Sequence, residues 1–239
     1  MKYFFSSLLV ALCWCLLPSA AMPQDKAPAS NGSLEAVIKK MDQASTSFRT
    51  TEAEFEWDRY EKVIDEVDEP QSGRIYYRRS GKDKDIEMMA EITKPDRKYV
   101  LFTDGKIRVY QPKVDQVTLY DAGKNKTEVE TYLVLGFGGS GEDMQKSFTV
   151  TYLGPETING VATAKLQLVP KSDKVRNTFA KILLWIDLER GISVQQQFFE
   201  PQGDYRLAKY SSIKVNDKIP NDVFQLKTTG KTQTVSPRG

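Results

Sequence analysis

Gly136-Phe137-Gly138-Gly139-Ser140-Gly141 formally satisfies the G-x-G-x-x-G pattern that cradles a dinucleotide pyrophosphate. That chemistry needs a strand before the glycines, a helix after them and a parallel βαβ unit, so that backbone N–H groups face the phosphates. Here the glycines follow a helical segment and precede Glu142 and Asp143, which repel phosphate, so they read as a joint between a helix and a strand. Asp65, Glu66, Asp68 and Glu69 are hard oxygen donors of the kind calcium takes, but they lack the spacing and turn glycine of an EF-hand loop and read as a solvated hairpin loop. Glu52, Glu54, Glu56 and Asp58 alternate along one strand face, and nothing singles out the pair of acids that a glycosidase needs. Arg74, Arg78 and Arg79 share a segment with Ile75, Tyr76 and Tyr77. Arg79 is in phase with Ile75 and Tyr77, so it points to an apolar face, where an unpaired guanidinium is costly. The partners that suit it are carbonyls of a covering helix or the polar group of a ligand.

The remaining catalytic repertoire is missing. The 239 residues contain no histidine, and the two cysteines, Cys13 and Cys15, lie in an apolar N-terminal run. That run has the parts of a secretory signal peptide: Lys2 as the charged end, apolar Tyr3 to Leu17, and small Ser19-Ala20-Ala21 before the cut. Its apolar part falls short of the ~20 residues of a bilayer span. Lys2 is the one charge in residues 1–21, so cleavage after Ala21 leaves 218 residues with 33 basic and 32 acidic side chains and neither Cys nor His. Such a chain has no disulfide, no thiolate nucleophile, no Ser-His-Asp triad and no histidine metal ligand, so no enzyme activity, metal or cofactor is expected. Its near-neutral charge argues against nucleic acid as a principal partner.

Residues 22–32 form a polar linker. Leu34, Val37, Ile38, Met41 and Phe48 then line one face of a helix spanning about Ser33 to Phe48, with Asn31 or Ser33 as its cap. From Ala53 the period switches to two, and Phe55 and Trp57 alternate with the carboxylates. Strands follow around Gly73–Arg79, Ile86–Ile92, Tyr99–Phe102, Ile107–Tyr110 and Val117–Tyr120, with Asp104-Gly105 as a tight hairpin turn. Val129, Tyr132, Leu133 and Leu135 fit a short helix before the glycine run, and Glu142 to Lys146 a further helical turn. Strands resume at Phe148–Leu153, Val161–Val169, Ile182–Leu188, Ile192–Phe199 and Tyr205–Val215, and residues 229–239 read as a flexible tail. About eleven short-linked antiparallel strands make a mainly β domain, a large curved sheet or barrel. One main helix and a marginal second cannot cover its whole apolar face. The surplus closes on itself, packs on another sheet, or lines a ligand cavity.

The order of these elements resembles the LolA family of periplasmic lipoprotein carriers. The resemblance rests on the Leu34–Phe48 helix, Phe55 and Trp57, Gly73-Arg-Ile-Tyr-Tyr-Arg-Arg79, Phe102-Thr-Asp-Gly-Lys-Ile-Arg-Val-Tyr-Gln-Pro112, Leu184-Trp-Ile-Asp187 to Gly191, and Ile213-Lys-Val-Asn216 through Phe224, and it covers residues 33–228. It implies an unclosed antiparallel β-barrel with an α-helical lid on the concave face, and an acyl-binding cavity in place of the surplus apolar surface. The residues in phase for that cavity are Phe55, Trp57, Ile75, Tyr77, Ile86, Met88, Ile92, Ile182, Leu184 and Ile186, with Leu34, Val37, Ile38 and Met41 from the lid. The family's functional arginine lies in a Lys-Arg-Pro stretch at a strand end. Arg79 is its nearest match, although Arg78-Arg79-Ser80 lacks the proline. Implied partners are acylated lipoproteins, an inner-membrane lipoprotein-releasing transporter and an outer-membrane acceptor, served by a monomer in the periplasm. The same superfamily also contains envelope regulators that sense lipids or lipoproteins without transferring them.

Overall fold

A computed structural model describes residues 33–80, 85–121, 123 and 126–237; the predicted signal peptide (1–21) and most of the adjoining linker lie outside them. Helix α1 (Leu34–Ser47) starts where Ser33 accepts a hydrogen bond from the Ala36 N–H at 3.2 Å, and it buries Val37, Ile38 and Met41. It stops at Phe48, whose backbone is extended, and the chain passes into β1 (Thr50–Glu61). In β1 the predicted alternation holds: Ala53 and Phe55 are buried while Glu54 and Glu56 are exposed.

A two-residue β2 (Glu66–Val67) pairs back on β1, followed by β3 (Gln71–Ser80), β4 (Asp85–Lys94), β5 (Lys98–Thr103), β6 (Lys106–Gln111) and β7 (Gln116–Asp121). Helices α2 (Lys126–Leu133) and α3 (Gly141–Ser147) lead to β8 (Phe148–Ile158) and β9 (Val161–Pro170). After the single turn α4 (Asp173–Arg176) come β10 (Lys181–Asp187), β11 (Ser193–Phe199), β12 (Tyr205–Val215) and β13 (Gln233–Val235). The hairpin dipeptides act as their residue types require. Asp104 and Gly105 take φ of 53° and 70°, and Asn159 and Gly160 take 49° and 81°, the paired positive φ of a turn that matches strand twist.

All the strands join one sheet, in the order β13-β7-β6-β5-β4-β3-β1-β12-β11-β10-β9-β8 with β2 beside β1. Pairing is antiparallel except for β13 on β7. The pairing of β1 with β12 joins the two meanders, and the sheet stays open between its β7/β13 and β8 ends. The connection from β7 to β8, which carries α2 and α3, therefore spans the gap that a closing strand pair would fill.

Two apolar clusters fill the concave side. One gathers Phe55, Ile75, Tyr77, Met88 and Phe102 with Phe48 and Phe137; the other packs α1 residues Val37, Ile38 and Met41 on Leu166, Leu168, Ile182, Leu184 and Ile186. The outer face is also partly covered. Met89, which the sequence pattern puts on a polar face, is buried with Tyr76 and Leu101 under Phe224 of the C-terminal segment. Leu183 and Trp185 pack on the outer side near Ile158 and Val161, so β10 is buried on both faces.

The tail requires a correction. Residues 229–235 are held to the sheet, with β13 along β7, because Asp115 supplies a cluster of acceptors. Its carboxylate accepts from the hydroxyls of Thr229 and Thr232, each at 2.6 Å, and of Tyr110 at 3.1 Å, and its carbonyl accepts from the Gln233 N–H at 3.0 Å. Sequence pattern misses this because the partners are 114 and 117 residues apart. The Thr229 and Thr232 hydroxyls hold the Asp115 carboxyl below its usual pKa, with Tyr110 assisting. Since the native pKa is the lower one, this support is present above the ordinary carboxylate range and is lost as pH falls through the native value. Asp115→Ala is thus expected to leave residues 229–237 open to limited proteolysis at neutral pH, whereas the wild-type segment opens only in acid. Equal protection of the variant would show that the threonine contacts do not hold the strand.

Candidate functional site

The concave side contains a cavity of about 690 Å³. Its walls come from β1 (Trp57), β3 (Ile75, Tyr77), β4 (Met88), β11 (Phe198) and β12 (Ala208, Tyr210), and α2 contributes Tyr132 and Leu133. Phe179, just before β10, completes the apolar lining and stands against Phe198 with ring centroids 5.3 Å apart. Exposed Arg59, Asp68, Glu69, Pro95 and Arg206 form the rim, where the space meets solvent.

Four of the residues expected at the cavity line it: Trp57, Ile75, Tyr77 and Met88. Phe55, Ile86 and Ile92 belong to the packed cluster beside it. Ile182, Leu184, Ile186, Val37, Ile38 and Met41 fill the second cluster, with Leu34 at its edge. Helix α1 thus seals the β8–β10 half of the sheet, and α2 is the helix over the cavity. The 14 residues of α1 contribute buried side chains to this second cluster and none to the first. Tyr132, Leu133, Phe179, Phe198 and Tyr210 are wall residues not included in the in-phase set. Tyr210 does alternate with polar neighbours, whereas Phe198 adjoins Phe199, and which strand ends face the cavity depends on how the sheet curls.

Two polar groups are held inside this wall. The Tyr210 hydroxyl donates to Gln196 Oε1 at 3.2 Å, and Gln196 Nε2 donates to the Leu135 carbonyl at 2.5 Å. Gln196 thereby ties the segment after α2 to the sheet. Burial raises the pKa of the Tyr77 and Tyr210 phenols, so both stay neutral at physiological pH.

The glycine run lies directly after α2, and its glycines permit close approach. A Cβ on Gly136 would meet Ser193 Cβ at 2.4 Å, and one on Gly138 would meet the Phe48 ring at 2.3 Å; both residues have positive φ. No strand-turn-helix unit surrounds them, so the resemblance to a phosphate-binding loop ends at the pattern.

Arg79 projects to the concave side from the end of β3. Its guanidinium donates to the Ser45 carbonyl of α1 at 3.0 Å, to Ser45 Oγ at 3.3 Å and to the Gly138 carbonyl at 2.7 Å, and its centre is 5.4 Å from the centroid of the Phe48 ring. Of the two partners open to it in the sequence, it therefore takes helix and loop carbonyls. Burial lowers the pKa of this guanidinium and the Asp143 charge opposes that shift. One side chain thus joins the end of α1 to the loop after α2. Gln71, a half-buried lining residue at the start of β3 near the cavity rim, is eight positions before Arg79, so the two are separated by about 26 Å of strand.

A second depression of about 670 Å³ lies on the outer face, lined by Glu54, Glu56, Arg74, Glu91 and Lys209 among others. Its charges answer one another: Lys209 pairs with Glu56 at 3.1 Å and Asp58 at 2.7 Å, and Arg74 with Glu52 at 3.5 Å and Glu54 at 3.7 Å. The carboxylate stripe seen in the sequence is therefore an ion-paired solvent face, unsuited to an apolar ligand.

An unclosed sheet, helices across its gap and a mainly apolar space beneath them define an open-barrel protein with a ligand space on its concave side. The chain belongs to the LolA family: the family model described as outer membrane lipoprotein carrier protein LolA matches residues 46–227. Among solved structures, an uncharacterised conserved protein from Thermus thermophilus is 11% identical over 85% of this chain and 98% of its own, with a TM-score of 0.54. MucB is 12% identical over 82% of this chain, with a TM-score of 0.51, and the chain spans 64% of MucB's length. At these identities the likeness is one of fold. No curated protein sequence matches the chain.

Proposed function

We propose that this protein is a periplasmic carrier that shields the acyl chains of lipoproteins in the concave cavity and delivers them toward the outer membrane. The observation that carries this reading is the cavity itself, apolar in its walls and open at a charged rim. Membership of a family described as outer membrane lipoprotein carriers supports the cargo class. Binding rests on apolar burial at ~25 cal/mol per Å², with no bond made or broken, so the protein acts without enzyme chemistry. If each methylene takes roughly the ~30 Å³ of a water molecule, the cavity accommodates on the order of twenty, one long chain and part of another. A diacylated or triacylated group therefore requires α2 to give way. The carrier receives cargo as a monomer from an inner-membrane lipoprotein-releasing transporter and passes it to an outer-membrane acceptor.

Native mass spectrometry of the purified mature protein, with a diacylated peptide as probe, tests this reading. Co-purified diacyl lipid or a stoichiometric peptide complex is expected. A delipidated protein that ignores the peptide overturns the reading. A labelled lipoprotein that is bound but never handed to outer membranes would instead favour a lipoprotein-sensing regulator with the same fold.

A further inference from the structure

The β1–β2 hairpin carries apolar surface that the fold does not use. Val63 is 94% exposed, and Ile64 and Val67 are each 55% exposed, at and beside the turn. Turns of this kind ordinarily hold Gly, Asn, Asp, Pro or Ser, which solvate their own backbone; two β-branched apolar residues have no local reason to be there. The tip is also held in place. Tyr60 Oη donates to Asp65 Oδ1 at 2.6 Å, the Lys62 N–H donates to Asp204 Oδ1 at 2.9 Å, and the Tyr60 ring stacks on Tyr205 at 4.8 Å. Directly beyond the tip, Asp68 and Glu69 belong to the cavity rim, so whatever holds the tip stands at the cavity mouth.

The surrounding charge selects the occupant. Residues 61–69 contain five acids, Glu61, Asp65, Glu66, Asp68 and Glu69, against Lys62. Glu61 pairs with Arg59 at 3.4 Å and Asp65 accepts from Tyr60, so Glu66, Asp68 and Glu69 are the exposed acids of the collar that face solvent or a partner. An anionic lipid surface repels such a collar, and Asp65 and Glu66, adjoining Ile64 and Val67, oppose entry into hydrocarbon. An apolar tip with an acidic collar complements an apolar recess edged by Lys and Arg on a protein. We propose that the β1–β2 hairpin tip is a docking element for a protein partner with such a recess in the envelope membranes, which brings that partner against the cavity mouth. The inference rests on the carrier reading for the partner's place in the envelope membranes and for the purpose of the docking; the contact itself is argued from the tip alone.

The test measures binding of the mature protein to membrane vesicles of the bacterium that encodes it. The vesicles are used intact, after protease stripping, and as protein-free liposomes of the same extracted lipids. Intact vesicles are expected to bind the protein, and raised salt to weaken binding. Val63→Ser/Ile64→Ser is expected to lower affinity at least tenfold, and Glu61→Gln/Glu66→Gln several-fold with a flatter salt dependence. Both variants should keep the wild-type circular dichroism and nearly the wild-type Tm, since Val63, Ile64 and Glu66 are exposed and half-buried Glu61 gives up only a solvent-screened pair with Arg59. Stripped vesicles and liposomes should bind neither form. Undiminished binding of the apolar double variant, or no binding of the wild type to any vesicle, overturns the proposal. Binding to protein-free liposomes that needs Val63 and Ile64 overturns it in favour of a lipid anchor. Diacylated-peptide binding, read separately, should survive in the tip variant. Its absence in the wild type would sink the carrier reading and leave the docking result standing.

Discussion

Arg79→Leu is expected to hold an acylated peptide more tightly than the wild type and hand it over at least tenfold more slowly, with the fold intact. The guanidinium bridges Ser45 of α1 and Gly138 of the loop after α2. Hydrogen bonds from a charged donor contribute roughly 1.5–3 kcal/mol each, and solvent screening at this half-buried site brings the bridge to about 2 kcal/mol in all. At 1.4 kcal/mol per factor of ten, that is a shift of about thirtyfold in the balance between the latched, cargo-free arrangement and any arrangement in which the two parts separate. Cargo that enters under α2 competes with the latched form, so weakening the latch strengthens retention. The loss should lower Tm by at most about 8 °C. Arg79→Lys keeps the charge but loses the fork that reaches two carbonyls, and should fall between the two. Transfer of a labelled lipoprotein to outer membranes checks this directly. Unchanged transfer in Arg79→Leu would remove the latch from the mechanism and leave Arg79 as a packing contact.

Leu184→Ala and Phe198→Ala should separate the core from the cavity. Leu184 is fully buried on the half of the sheet sealed by α1 and does not line the cavity. Its truncation should destabilise the protein by about 3 kcal/mol and lower Tm by roughly 6–12 °C, while each folded molecule binds acylated peptide as before. Phe198 is half-buried, lines the cavity and touches Phe179 and the edge of the cluster around Leu184, so its truncation should lower Tm less than Leu184→Ala does and weaken acyl binding about tenfold, in keeping with the ~1.5–3 kcal/mol for burying such a side chain. Denaturant unfolding and peptide titration on the same samples give both numbers. If Leu184→Ala loses binding in proportion to Phe198→Ala, the two halves of the concave face act as a single site.

Much of the architecture follows from local signals. The period-two run from Ala53, the continuous apolar run from Ile182, and the Asp104-Gly105 and Asn159-Gly160 turns place strands and hairpins within a few residues of where they stand. The helix with Ser33 as cap is legible for the same reason: capping and periodicity act within a turn of chain. What local signals miss lies at long range. The β13 strand forms on Asp115, more than a hundred residues away, and Met89 is buried by Phe224 from a segment that joins the sheet last. The two short additions, β2 and β13, raise about eleven strands to thirteen.

The division between core and cavity is of the second kind. The sequence alone determined that the strands present a shared apolar face, that one main helix is too little to cover it, and that Arg79 points the same way as Ile75 and Tyr77. Those properties depend on side-chain alternation, which is set residue by residue. Only the tertiary structure decided that α1 lies over Ile182, Leu184 and Ile186, that the open space falls under α2 between Trp57 and Phe198, and that Arg79 directs its hydrogen bonds to Ser45 and Gly138. The reason is geometric. An in-phase residue is equally apolar whether a helix, a neighbouring ring or empty space stands above it, and what stands there is set by the curl of the whole sheet and by the chain that spans its gap.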